Sequence, residues 1–392
     1  MSRSARGPST MQPRHPLLAV ALLAGTLPPC LLAACLLRAP AIVLTAPDDL
    51  EIVQRDADGG GVVRLAGRLS GVPFAGTRVE VRLAGAAGDA AAWQAVAARE
   101  DGFAGGLRVP AGGWYRLEVR ASRSGGVVAE ADVPRVGVGE IFVVAGQSNS
   151  ANYGETRQAS RSDRVVARDG GRWQVARDPQ PAAGGSGGSF MPPLGDALVA
   201  AFDVPVGFVA CGLGGTSVRE WLPEGGRFPS PPTVERRVRR LADGVWESDG
   251  RAYAVLVARM KELGPRGFRA VLWHQGESDA NQQDPSRTLP GHLYREYLET
   301  IIRRSRADIG WEADWFVAQA TYHVPGDESS PDIRAAQAAV VADGVALAGP
   351  DTDALAGALR ERGGTGVHFS DAGLKAHAAR WAEILVAWIR PR

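Results

Sequence analysis

The chain has 392 residues, 45% of them hydrophobic and 22% charged, with a formal charge of +1. Such a length and apolar content suit two packed domains and speak against a disordered or repeat-built chain. Charges of both signs are interspersed, which leaves no basic face for nucleic acid or anionic lipid, so the expected partner is small or neutral.

Arg3, Arg6, Arg14 and His15 precede an apolar run over residues 17–37, the order of the basic and apolar regions of an export signal. Three outcomes compete for residues 1–41. Leu32-Ala33-Ala34-Cys35 resembles a bacterial lipoprotein box, which would make Cys35 a lipidated first residue and attach the chain to a membrane through its N-terminus. Ala39-Pro40-Ala41 fits signal-peptidase cleavage before Ile42. Left uncleaved, the run is long enough, at ~1.5 Å per residue, to anchor the chain across a bilayer. Each outcome places the rest of the protein outside the cytoplasm, as a periplasmic, envelope-attached or secreted chain. Cys30 and Cys35 fall within this segment, and Cys211 ends an apolar run where it reads as a buried, inert thiol.

Residues 42–135 show short alternating runs and no helical period, which predicts a small β-sandwich. Val62-Val63-Arg64-Leu65, Val79-Glu80-Val81-Arg82-Leu83 and Tyr115-Arg116-Leu117-Glu118-Val119 each turn one face inward. Trp93 and Trp114 are too few to make a sugar-stacking face, so an Ig-like structural platform is favoured over a carbohydrate-binding module.

From residue 136 to 392 apolar strands alternate with longer amphipathic segments, the mark of a mostly parallel sheet covered by helices on both faces, an α/β domain. Strands are expected at 141–145, 206–211, 268–274, 315–320 and 345–348, and helices at 251–263, 289–306, 332–342 and 371–389. In the last helix Leu374, Ala378, Trp381, Leu385 and Trp388 form an apolar stripe, with Ser370 as N-cap. The boundary between the two domains is expected at 134–139.

Four segments carry the chemistry, and all follow predicted strands or lie in loops at the carboxyl edge of the sheet, where such folds bind ligands. Gly146-Gln147-Ser148-Asn149 leaves a buried strand and exposes a hydroxyl beside free backbone N–H groups. It is not the G-x-S-x-G elbow, because position 150 is Ser150. Gly214-Gly215-Thr216 can present an N–H to an oxyanion, and Gln275, in Trp273-His274-Gln275-Gly276-Glu277-Ser278, a side-chain NH₂. Among the six histidines, His368 in Val367-His368-Phe369-Ser370 is the expected base. A serine hydroxyl needs such a base and such donors to act as a nucleophile near neutral pH, so the set reads as a serine ester hydrolase. No His-Glu-x-x-His or clustered Cys/His spacing points to a metal, and no cofactor is expected.

Gly-Gln-Ser-Asn, Gly-Gly-Thr-x-x-x-x-Trp ending at Trp221, Trp-x-Gln-Gly-Glu-Ser and His-Phe-Ser resemble the ordered blocks of the SGNH (GDSL-like) hydrolases, specifically carbohydrate esterases of the sialate O-acetylesterase and acetyl xylan esterase type. Arg334 and Gln337 resemble a further helical motif, and the likeness covers most of residues 140–380. It implies a three-layer α/β/α fold, metal-free catalysis and O-deacetylation of an acetylated carbohydrate, with Ser148 and His368 catalytic and Ser148, Gly214, Gly215 and Gln275 forming the oxyanion hole. Many relatives place an aspartate three residues before the histidine, where this chain has Thr365. A Ser-His dyad, or an acid from Glu277, Asp351 or Asp353, is expected in its place, with Glu277 alternatively bracing the loop of Gln275. The competing reading is a non-catalytic, exported glycan-binding protein with a degenerate site. A lipid or thioester substrate lacks a long apolar lid segment to support it.

Overall fold

A computed structural model describes residues 39–85, 90–99 and 102–390. The expected signal, with Cys30, Cys35 and the lipoprotein box, lies outside the described residues.

The strands that read as continuous apolar runs form one sheet, buried on both sides at its centre and partly exposed at its edges. Its order is Arg172–Val175, Val165–Asp169, Val206–Ala210, Gly126–Gly146, Ala270–His274, Asp314–Gln319, Leu347–Asp351. All neighbours pair in parallel except the first two, which are antiparallel. Successive side chains of a strand face opposite ways, so the run 141–145 feeds two cores at once. Ile141, Val143 and Ala145 pack with the helices Arg251–Glu262, Gly291–Ile309 and Pro331–Ala342. Phe142 and Val144 pack with Met191–Phe202 and Asp371–Ile389. In that last helix Leu374, Ala378, Trp381 and Leu385 are buried as their spacing predicts, and Ser370 Oγ accepts the N–H of Gly373 at 3.2 Å.

The helix Met191–Phe202 and the edge pair Val165–Asp169 and Arg172–Val175 were not expected. Pro192, Pro193 and Gly195 lower the helix propensity, yet prolines are tolerated in the first turn, where the N–H has no intrahelical partner. Gly195 lies so close to Val165 that a Cβ there would stand 2.2 Å from its side chain.

Ahead of this sheet, Ala41–Ala46, Gly60–Ser70, Gly102–Pro110 and Ala98–Arg99 form a four-stranded sheet. It shares a core with Thr77–Ala84, Gly112–Arg123 and the first half of Gly126–Gly146, among them Val63, Leu65, Val81, Leu107, Leu117, Val119 and Val136. Across the expected domain boundary at 134–139, the strand Gly126–Gly146 runs unbroken from this region into the centre of the parallel sheet. At that seam Glu140 is fully buried and accepts from Arg269 Nε at 2.7 Å, Arg55 Nε at 2.5 Å and Gln54 Nε2 at 2.9 Å. In this region the guanidinium groups of Arg82 and Arg120 lie over the ring of half-buried Trp93, at 4.4 and 4.2 Å, and Trp114 packs against the main core.

Candidate active site

The carboxyl ends of the strands gather the four motif segments. Gly146 closes the central strand with φ +124°, and a Cβ there would lie 2.1 Å from His274 O, so the approach of the two strand ends requires glycine. The backbone N–H of Gln147 donates to that same carbonyl at 2.9 Å, and Ser148 opens a single 3-10 turn, Ser148–Ser150. Gln147 Oε1 accepts from Ser278 N at 3.0 Å, Gly276 N at 3.4 Å and Gln275 Nε2 at 3.2 Å, stitching the nucleophile segment to the loop after the next strand. On the other side, Leu213 N donates to Gly146 O at 2.9 Å, which brings in the Gly214-Gly215 turn.

Asn149 Nδ2 joins the last segment: it donates to Glu277 Oε1 at 2.9 Å and to Val367 O at 3.3 Å. Ser148 and His368 are thus the immediate chain neighbours of a bonded pair. No hydrogen bond links the Ser148 hydroxyl to the imidazole among the described residues; such contacts are often long before substrate binds. Val367 O also accepts from Arg360 Nη1 at 2.8 Å, and Arg360 lies over the rings of Tyr322 and Phe369 at 3.9 and 4.3 Å. This buried arginine fixes the loop that carries the base.

The acid beside His368 is Glu361. Its Oε1 lies 2.9 Å from His368 Nδ1 and 3.3 Å from the His368 backbone N, while Glu361 N–H donates to His368 O at 2.9 Å. This corrects the expectation of a dyad or of an acid from Glu277, Asp351 or Asp353. Glu277 bonds Asn149, and Asp351 and Asp353 pair with Arg334, each at 2.8 Å. Thr365 is exposed and donates to Arg362 O at 3.0 Å. Glu361 was missed because it stands seven residues before the histidine, whereas the familiar spacing is three. The signal was Gly363-Gly364: with Arg362 at φ 56°, Gly363 at 69° and Gly364 at 97°, the chain reverses and lays Glu361 against the ring. Burial pushes the His368 pKa below its ordinary 6.5, and the Glu361 charge pulls it partly back, so the ring is a neutral acceptor at neutral pH.

The backbone N–H groups of Ser148, Gly214 and Gly215 take part in no hydrogen bond among the described residues. The turn holding Gly214 and Gly215 is braced: Thr216 Oγ1 donates to Leu213 O at 2.8 Å and accepts from Trp221 Nε1 at 2.9 Å. Trp221 in turn meets Trp273 edge-on at 5.3 Å. Gln275 departs from its expected role as an oxyanion donor. Fully buried, its NH₂ is engaged inward with Asp279 Oδ2 at 2.7 Å, Thr216 O at 3.1 Å and Gln147 Oε1 at 3.2 Å. It positions the Gly214 turn and Gln147 instead. Asp279, unnoticed in the sequence, also accepts from Ser217 Oγ at 2.5 Å and Val218 N at 2.8 Å. Tyr153, likewise unnoticed, spans the cleft: its ring lies 5.4 Å from the His368 ring, and a Cβ on Gly214 would stand 2.2 Å from its hydroxyl.

Beneath the site Glu277 is buried, with Oε2 unpartnered, and burial pushes its carboxyl up to about 7. His274 is buried beside it, pushed down to about 3, with Nε2 2.9 Å from Thr352 Oγ1. Among the described residues no group of three or more His, Cys, Asp or Glu side chains is placed to hold a metal ion.

Residues 138–386 match the family model described as carbohydrate esterase, sialic acid-specific acetylesterase. No curated protein matches the chain. Among solved structures, a carbohydrate acetylesterase from Xanthomonas citri is similar at 22% identity and a TM-score of 0.53, covering 89% of this chain and 76% of that one. A carbohydrate esterase family 2 enzyme with a carbohydrate binding domain, from Corynascus thermopiles (Myceliophthora fergusii), matches at 13% identity over 80% of this chain and 89% of that one, with a TM-score of 0.35. A family two carbohydrate esterase from Clostridium thermocellum, in complex with cellohexaose, matches at 13% over 84% and 93%, also at 0.35. With more than half of the chain, and all four motif segments, inside the matched region, the chain belongs to the sialic acid-specific acetylesterase family of carbohydrate esterases and is a carboxylic ester hydrolase.

Proposed function

We propose that this enzyme removes O-acetyl groups from carbohydrate outside the cytoplasm, on an SGNH-type α/β/α fold, by a Ser148-His368-Glu361 acyl-enzyme mechanism. The observation that carries it is the clamp of Glu361 on His368, in a loop tied through Val367 O to Asn149, the residue after Ser148. Glu361 holds the Nδ1–H tautomer, which leaves Nε2 to take the proton of Ser148 as Oγ attacks the acetyl carbonyl carbon. The free N–H groups of Ser148 and Gly214 then receive the oxyanion. As the C–O bond to the sugar breaks, His368 returns the proton to the leaving alkoxide. Water, deprotonated by the same ring, releases acetate and restores the serine. Glu361 also removes the motive for a non-catalytic reading, which rested on the aspartate missing at Thr365.

Ser148→Ala is the test. Acetate release and p-nitrophenyl acetate hydrolysis should fall by about 10⁴-fold or more, with the thermal melt unchanged. Wild-type turnover in that variant would end the serine mechanism.

A further inference from the structure

Stabilising an oxyanion takes donors that are both fixed in advance and unengaged, and the inward-turned NH₂ of Gln275 meets only the first condition, being bonded to Asp279, Thr216 and Gln147. Tyr153 meets both. Its hydroxyl takes part in no hydrogen bond among the described residues, and its oxygen stays open to solvent, unlike the sealed, unpartnered hydroxyl of Tyr322.

The hydroxyl stands beside an N–H donor already assigned to the oxyanion. A Cβ on Gly214 would lie 2.2 Å from it, so the oxygen is in direct contact with that residue. A Cβ on Gly184 would lie 3.4 Å from the hydroxyl and 3.4 Å from Gly214 N, which makes the two polar groups close neighbours. The ring itself lies 5.4 Å from the His368 imidazole, tilted by 31°. One side chain thus reaches from the base to the oxyanion turn, the span across which an ester carbonyl must lie during attack.

Its position is fixed on several sides. Cβ atoms on Gly185 and Gly214 would each stand 2.8 Å from the ring, at Cδ2 and Cε2, so one ring edge lies against residues that must lack a side chain. The flanking backbone is tied down as well: Asn152 N donates to Gly184 O at 2.9 Å, Gly187 N to Asn152 O at 2.8 Å, and Gly154 exchanges bonds with Gly188 at 2.9 and 2.8 Å. A hydroxyl held this way needs little reorganisation when charge develops next to it.

We infer that the Tyr153 hydroxyl is a catalytic residue, the side-chain donor of the oxyanion hole in the place expected for Gln275. The inference rests on the serine esterase reading. As Ser148 Oγ adds to the acetyl carbon, the π pair of the carbonyl moves onto its oxygen, which accepts from the N–H groups of Ser148 and Gly214 and from the O–H of Tyr153. The pair returns to re-form the carbonyl as the C–O bond to the sugar breaks. No proton leaves the tyrosine.

Tyr153→Phe is the experiment, because it removes the hydroxyl and keeps the ring against His368 and the glycines. On acetylated xylo-oligosaccharides and on p-nitrophenyl acetate, kcat should fall by about 100-fold while KM stays within about twofold, as for a donor that acts in the transition state. Methylboronic acid, which adds to the serine as a tetrahedral mimic, should lose affinity by a comparable factor. The acid limb of the pH profile should stay at its wild-type position, which separates loss of an oxyanion donor from disturbance of His368. Wild-type kcat in Tyr153→Phe, undiminished boronate affinity, or a lost rate with a shifted limb overturns the assignment. Ser148→Ala, assayed alongside, tells the two readings apart. If it is inactive while Tyr153→Phe is unimpaired, the tyrosine alone loses its role; if it keeps wild-type turnover, the serine mechanism falls and the tyrosine assignment with it.

Discussion

Glu140 and Glu277 are both buried carboxylates at opposite ends of the same parallel sheet, and their surroundings could hardly differ more. Glu140, at the seam with the β-sandwich, is met by Arg55, Arg269 and Gln54, so its charge is compensated from several directions. Glu277, below the catalytic edge, has one donor, Asn149, an unpartnered Oε2 and a pKa pushed up to about 7. The contrast separates two uses of buried polarity. Where the protein needs two regions to move as one, ion pairs are completed; where it needs a cleft whose groups change protonation, they are left partly unmet, as strain at functional sites generally is.

Removing a partner from the completed network should therefore be the costlier change to stability. Glu140→Ala leaves Arg55 and Arg269 without their shared acid and should lower unfolding free energy by about 3 kcal/mol or more in denaturant titration, with kcat/KM of the folded enzyme preserved. A wild-type midpoint in that variant would mean that the seam is held by strand continuity alone.

Glu361→Gln moves the comparison to the catalytic edge, where loss should appear as rate. The amide can no longer enforce the Nδ1–H tautomer, and kcat/KM should fall by about 100-fold or more while the melt stays put. A pH profile distinguishes positioning from scaffolding. Because the carboxylate charge raises the His368 pKa, its removal should shift the acid limb to lower pH, from a wild-type limb already below the ordinary 6.5. Lowered activity with an unmoved limb would assign Glu361 to loop structure only.

How far the sequence foretold these two ends follows from the range of the signals. Apolar runs such as 141–145 and the stripe Leu374, Ala378, Trp381, Leu385 are local and periodic, and each became the strand or helix expected. The helix Met191–Phe202 escaped because Pro192, Pro193 and Gly195 disguise a segment whose stability comes from packing. Ser148, Gly214 and His368 were found through their motifs, and the segments that bear them do meet. What could not be read was direction. Gln275 has the chemistry of an oxyanion donor, but Asp279, four residues later, turns its NH₂ inward. Glu361 reaches His368 only because left-handed residues at 362–364 reverse the chain.

Glu277→Gln sharpens the contrast most finely, since it changes charge and almost nothing in shape. The native carboxyl titrates near 7 and the unfolded one near its ordinary 4.5, so between those values the folded state holds the proton more tightly. Stability from this group is full below about 4.5 and is lost as pH rises through 7. Glutamine cannot ionise, keeps an oxygen for Asn149 and escapes that loss. The variant and the wild type should melt alike below about pH 4.5, diverge as pH rises from there to about 7 and stay apart above it, the variant being more stable by about 3 kcal/mol. The same substitution at Glu140 should destabilise at every pH above the carboxylate range, because there the charge itself is what Arg55 and Arg269 require. Parallel melts of the two variants would remove the distinction between the seam and the cleft if both moved in the same direction.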